Sequence, residues 1–136
     1  MEDELLLVLL QRATHVTLQV LGTELADLGL TASETNVLAN LADGRGRTVT
    51  ELGAAAGVRP TTLTGVLDRL EQKGQIRRAP RPGDRRAVEI SLTRVGVESA
   101  GRVQQASAEL EERALAGVPA GSVKQARRVL TALGAV

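Results

Sequence analysis

The sequence predicts a mainly α chain with one small β-hairpin, placed directly after a helix-turn-helix. Three observations carry that expectation. Apolar residues recur at helical spacing along most of the chain. Hydroxyl-x-x-Glu signatures open two short helices near its middle. The apolar period then switches to two over residues 87–92, behind a turn rich in Pro and Gly. At 136 residues, 43% hydrophobic and 24% charged, the chain has the size and balance of one globular domain and not of a disordered segment.

The elements follow in order. The first thirty residues read as a helix with Leu6, Leu9, Leu10, Val16, Val20 and Leu21 on one side, His15 weakly among them, and Gly29 as its stop. Thr31-Ala32-Ser33-Glu34 has capping-box spacing: the hydroxyl reaches the third amide while the Glu returns to the cap. It starts a short helix holding Val37, Leu38 and Leu41, which Asp43-Gly44 and Gly46 end. A second box, Thr48-Val49-Thr50-Glu51, opens a helix with Leu52, Ala55 and Ala56 inward, and Gly57 supplies the turn. The next helix starts near Pro60, a residue suited to a first helical turn, and carries Leu63, Val66, Leu67 and Leu70 as one buried stripe up to Gly74.

Gln75-Ile76-Arg77-Arg78 is then short and extended, Pro80 to Asp84 is a turn, and Ala87 to Leu92 alternates, which together make a hairpin with a basic tip. Thr93 caps a long helix from Arg94 to about Ala116, with Val97, Ala100, Val103, Ala106 or Ser107, Leu110 and Ala114 on one side. Pro119 begins a last helix with Val123, Ala126, Val129, Leu130 and Leu133.

Composition removes several functions. There is no Phe, Trp or Tyr, so single-stranded nucleic acid has no ring to stack on, and a quaternary ammonium has no aromatic cage. The absence of Cys excludes disulfides, thiolate nucleophiles and thiol redox sensing. The single His15 reads as a helix residue and supplies neither a cluster of imidazole ligands nor a nucleophile–base pair, so no enzyme, cofactor or metal site is expected. A metal sensor would have to lean on carboxylates such as Glu24, Asp27, Glu109, Glu111 and Glu112. The apolar run Leu5 to Leu10 is far short of the roughly 20 residues that span a bilayer, and its acidic flank has the wrong sign for an export signal. A cytoplasmic protein without a membrane partner is the expectation.

Formal net charge is only +1, but it is split along the chain. From Arg45 to Arg94 eleven basic residues face five acids, a balance of +6 that leaves −5 on the flanks. A basic middle suits a polyanion. Opposite the Leu63/Val66/Leu67/Leu70 stripe lie Arg59, Thr61, Thr62, Gly65 and Arg69, small polar and basic groups of the kind that read a major groove from a helix N-terminus. Lys73, Arg77, Arg78, Arg81, Arg85 and Arg86 then fall within fourteen residues, a density of positive charge that phosphates offset. Asp84, two before Arg86, is placed to orient that guanidinium.

From Thr48 to Gly96 the chain resembles the MarR (multiple antibiotic resistance regulator) transcription factors of bacteria. The matching stretches are Thr50-Glu51-Leu52, Thr61-Thr62-Leu63-Thr64, Asp68 to Gly74, and Gly83-Asp84-Arg85-Arg86 through Leu92-Thr93-Arg94-Val95-Gly96. The last is the most specific, because it joins the hairpin's Asp-x-Arg to the strand and to the Leu-Thr-x-x-Gly start of the next helix. The resemblance implies a winged helix-turn-helix over residues 31–92, with dimerisation helices at 1–30 and 93–136 forming one intertwined domain. It implies a homodimer that binds pseudo-palindromic double-stranded DNA, as a repressor, and that a small organic anion or phenol releases. DNA-contacting positions would then be Arg59, Pro60, Thr61, Thr62, Thr64, Arg69, Lys73, Arg78, Arg81, Asp84, Arg85 and Arg86, with Arg86 in the minor groove. Gly65 departs from the many relatives that carry a longer polar side chain there.

The ends support pairing independently, since amphipathic terminal helices leave an apolar stripe exposed unless a partner covers it. Leu6, Leu9, Leu10, Val123, Val129, Leu130 and Leu133 are the expected dimerisation residues. The competing reading is a winged-helix module that binds a protein and no DNA.

Overall fold

In the computed structural model, which describes residues 2–136, six helices and one 3-10 turn accompany a small three-stranded sheet. The first helix, α1 (Leu6–Glu24), stops before the expected Gly29: a 3-10 turn (Ala26–Leu28) intervenes, and Gly29 follows in the left-handed region at φ 65°. The tightening coincides with burial of Leu25, the one residue of this stretch that is fully covered. The expected capping box starts α2 (Ala32–Ala39) with both halves made: Glu34 N–H donates to Thr31 Oγ1 at 3.2 Å, and Thr31 N–H donates to Glu34 Oε1 at 3.0 Å.

The second box is only half made. Thr48 caps α3 (Val49–Ala56) by accepting from Glu51 N–H at 3.2 Å, but the Glu51 carboxylate leaves the cap for Arg81. Within α3, Leu52 is buried as expected, whereas Ala55 is exposed and Gly53 takes the inward place. A Cβ on Gly53 would lie 3.0 Å from the Val58 carbonyl oxygen, so the turn after the helix packs on its backbone. In α4 (Pro60–Gln72) all four residues of the predicted stripe are buried.

The hairpin is longer than the alternation suggested. Strands β2 (Ile76–Arg81) and β3 (Asp84–Leu92) run almost to the turn, which contains only Pro82 and Gly83. Gly83 has φ 84°, the conformation required after a Pro at the second position of a type II turn. A two-residue strand, β1 (Arg47–Thr48), adds to the other edge of β3, giving the order β1-β3-β2, all antiparallel. Two residues are too few to show a period, so this strand left no signal in the sequence.

The long helix α5 (Arg94–Ala114) buries Gly96, Ser99, Ala100 and Val103, while Val97, expected inward, is exposed. Close approach sets that face: a Cβ on Gly96 would lie 1.9 Å from the Gln75 carbonyl oxygen. Thr93 fastens the same corner, since its N–H donates to Gln75 O at 3.1 Å, its hydroxyl donates to Gly74 O, and its Oγ1 accepts from Gly96 N–H. Pro119 is the N-cap of α6 (Ala120–Gly134), just outside the helix.

The core is aliphatic throughout. Val37, Leu38 and Leu41 meet Leu52, the α4 stripe, Ile76, Ile90 and Ala100. α5 packs on α1 and α2. By contrast, neither α1 nor α6 has a fully buried residue.

Candidate nucleic-acid interface

The outward face of α4 is polar and open. Arg59, Pro60, Thr61, Thr62, Thr64 and Arg69 are exposed, and the Thr64 hydroxyl donates back to Pro60 O at 3.0 Å. Gly65 lies half-buried among them; a Cβ there would sit 3.5 Å from Arg69 Nη1, an ordinary contact. Arg59 occupies the N-cap with no side chain satisfying the first-turn amides, so that helix end presents free N–H groups and a partial positive charge. The four buried residues on the opposite side hold this face outward.

The wing divides the predicted cations into two groups. Arg85 and Arg86, beyond the turn, are exposed, and among the described residues neither they nor Arg59 and Arg69 face a carboxylate within ion-pair distance. Three other cations are engaged inside the chain. Arg78 pairs with Asp68 at 2.9 Å and Glu71 at 3.6 Å, tying β2 to α4. Arg81 pairs with Glu51 at 2.7 Å and Glu89 at 2.9 Å. Lys73 reaches back to Glu34 at 2.8 Å and to the Gly29 carbonyl at 3.0 Å.

Glu34 is the buried carboxylate of the fold, with its side chain fully covered and Oε2 unpartnered among the described residues. Burial pushes its carboxyl up, but the Lys73 ammonium and the Thr31 N–H together hold it below its ordinary 4.5. The hydrogen bonds from Arg81 likewise lower Glu51, and those to Glu89 and Glu51 raise Arg81. Counting charge along the sequence does not show which acids lie opposite Lys73, Arg78 and Arg81, the three of these cations that pair inside the chain. Asp84 also differs from its expected part: Oδ1 accepts the backbone N–H of Arg86 at 3.1 Å, so it shapes the turn and does not hold the guanidinium.

At the far end, Leu6, Leu9, Leu10 and Ala13 of α1 face Ala126, Val129, Leu130 and Leu133 of α6 across an apolar groove of about 390 Å³. Leu6 is 60% and Leu130 49% exposed, large values for leucines on one apolar face. Val123, the remaining expected dimerisation residue, lies instead in a recess with Leu115 and Arg127. A further recess of about 300 Å³ opens between α1 and α5, lined by Thr17, Leu21, Ser107, Leu110 and Leu115 among others. His15 is exposed on α1. Glu24 and Asp27 face Arg113 and Arg102, and among the described residues no three acids or histidines gather where a metal could sit. Nor is any described helix long and apolar enough to cross a membrane.

The sequence profile of the MarR family matches residues 30–88, which run from the start of α2 into the wing. An HTH-type transcriptional repressor of Mycobacterium tuberculosis is 30% identical over 126 residues, covering 93% of this chain and 91% of that protein. The chain belongs to the MarR family. The crystal structure of CouR from Rhodococcus jostii RHA1 bound to p-coumaroyl-CoA superposes with a TM-score of 0.85 at 26% identity, covering 93% of this chain and 89% of that one. An HTH-type repressor of Pseudomonas putida is 28% identical over 82 residues, 60% of this chain but only 49% of its own length. Within the winged-helix fold of that family, α3 and α4 correspond to the helix-turn-helix and β2–β3 to the wing.

Proposed function

We propose that this chain is a homodimeric repressor that reads a pseudo-palindromic duplex with α4 in the major groove and the wing in the adjacent minor groove. The observation that carries the reading is the set of guanidiniums that meet no carboxylate among the described residues, Arg59, Arg69, Arg85 and Arg86, at α4 and the wing tip beside the exposed hydroxyls of Thr61 and Thr62. The threonines suit base edges, with their methyl groups toward thymine, and the arginines suit phosphates and a narrow minor groove. Dimerisation through the α1/α6 groove would bury the exposed leucines and set two α4 helices on half-sites about 34–36 Å apart. A small organic anion entering beside α1 and α5 is the effector class this reading favours. CouR is bound to p-coumaroyl-CoA, and the recess here has aliphatic and hydroxyl walls without rings, plus one carboxylate, Glu111, from which the anionic end of such a ligand would have to face away.

The test is fluorescence anisotropy on duplexes selected by the protein from its own upstream region, at several salt concentrations. Affinity should fall steeply with salt, and Arg86→Ala, which removes one guanidinium from each protomer, should reduce the slope of log K against log salt by about two. A flat salt response, or Arg86→Ala binding like the parent protein, would overturn the reading in favour of a protein-binding module.

A further inference from the structure

We propose that Arg81 is a positioning residue that braces the wing against α3, not a contact to DNA; the inference rests on the DNA-binding reading above. Arg81 closes β2, one residue before the turn. Its Nε donates to Glu89 Oε2 at 2.9 Å, across the hairpin, while Nη2 reaches Glu51 Oε1 at 2.7 Å, on a separate helix. A planar guanidinium can hold two carboxylates in fixed directions at once, which an ammonium on a flexible stem does less well.

Both acids are themselves held in place. Glu51 stands in the first turn of α3, where a negative charge suits the helix dipole, and its carboxylate is free for Arg81 because it does not return to the Thr48 cap. Glu89 fills space left by Gly46, where a Cβ would lie 2.0 Å from Oε1 and 2.6 Å from Cγ. The strand ladder is irregular between Pro80 and Arg81, and Pro80 has no N–H to give it. The brace therefore acts where the hairpin's own hydrogen bonding is interrupted, and Arg85 and Arg86 lie just beyond it.

Charge distinguishes a brace from a phosphate contact. One guanidinium between two carboxylates leaves the trio net negative, the wrong sign for meeting DNA. Removing Glu51 should then have opposite consequences under the two roles. If Arg81 is a phosphate contact, Glu51→Ala deletes a repulsive charge and tightens binding. If it is a brace, the same change frees the wing and weakens binding despite the better charge.

We would measure Glu51→Ala, Arg81→Ala and Gly46→Ala against the parent full-length chain, with the anisotropy assay on the selected duplex and hydrogen exchange of backbone amides 81–88 without DNA. The brace predicts faster exchange in all three variants and about three- to fivefold weaker binding, with the salt slope of Arg81→Ala unchanged. Gly46→Ala alters no charge, so its loss would report position alone. Glu51→Ala binding as tightly as the parent or tighter, or wing exchange unaltered in Arg81→Ala, would overturn the proposal. If the parent chain shifts no duplex, the DNA-binding reading fails instead, and the exchange arm still decides whether Arg81 holds the wing.

Discussion

Lys73→Met removes the ammonium opposite a carboxylate that has nowhere else to go. The Glu34 side chain is 0% exposed and that of Lys73 37%, and the two meet at 2.8 Å. Breaking a fully desolvated pair from one side costs about 3–5 kcal/mol. Here Lys73 keeps part of its hydration, and Glu34 keeps the Thr31 N–H. We therefore expect about 2 kcal/mol at neutral pH, or roughly 6–8 °C in Tm. Urea unfolding at fixed protomer concentration, so that any association is held constant, measures it.

The pH dependence gives a sharper check. In the parent chain, burial raises the Glu34 carboxyl, but Lys73 and Thr31 together bring it below 4.5, so its contribution is fully present above that pH and is lost as pH falls. Without Lys73 the desolvation is unopposed by an ammonium and the carboxyl moves up, so protonation now relieves the strain. The stability gap between variant and parent should narrow from pH 7.5 toward pH 5, and Glu34→Gln added to Lys73→Met should restore at least half of the loss. A gap that is constant with pH, or a double variant no more stable than Lys73→Met, would refute the reasoning.

Other consequences are simpler. Gly96→Ala should cost about 3 kcal/mol or more in thermal melts, because its Cβ would lie 1.9 Å from a backbone oxygen, whereas Gly101→Ala, with nothing within 4 Å, should be neutral or stabilising. Gly65→Ala should raise stability by up to about 1 kcal/mol, its Cβ meeting only Arg69 Nη1 at 3.5 Å, and leave the salt slope of DNA binding unchanged. Leu130→Glu, on the wall of the α1/α6 groove, should shift sedimentation toward the monomer; an unchanged dimer would place the interface elsewhere.

Much of this architecture was legible in the sequence because it rests on local chemistry. The Thr31/Glu34 box, the α4 stripe, Gly57 and the hairpin before α5 each follow from residues within a few positions of one another. The failures have a common cause, which is chemistry between residues distant in the chain. Glu51 abandons its cap for a guanidinium thirty residues on, and Lys73 finds Glu34 thirty-nine residues back. The inward face of α5 includes Gly96, which approaches the Gln75 carbonyl just before β2, and the buried Ser99, and an apolar period cannot report small residues of this kind. Of the site, the open face of α4 and the wing tip were readable; which cations were free was not.

That distinction alters what the basic middle implies. Pairing leaves its +6 balance unchanged, but salt dependence counts cations that reach phosphate, not formal charge. The seven cations expected from the sequence at the interface, in a dimer, would give a slope near −13, at about 0.9 per phosphate. The structure holds Lys73, Arg78 and Arg81 on internal carboxylates and leaves Arg59, Arg69, Arg85 and Arg86. Four per protomer give a slope near −7. Titrations on the selected duplex between about 50 and 200 mM salt separate the two values easily. A slope steeper than about −10 would mean that the internal pairs open on DNA and that their cations transfer to phosphate. A slope near −7 would mean that the carboxylates on α2, α3, α4 and β3 keep their cations, and that the middle of the chain spends part of its positive charge holding the reading head together.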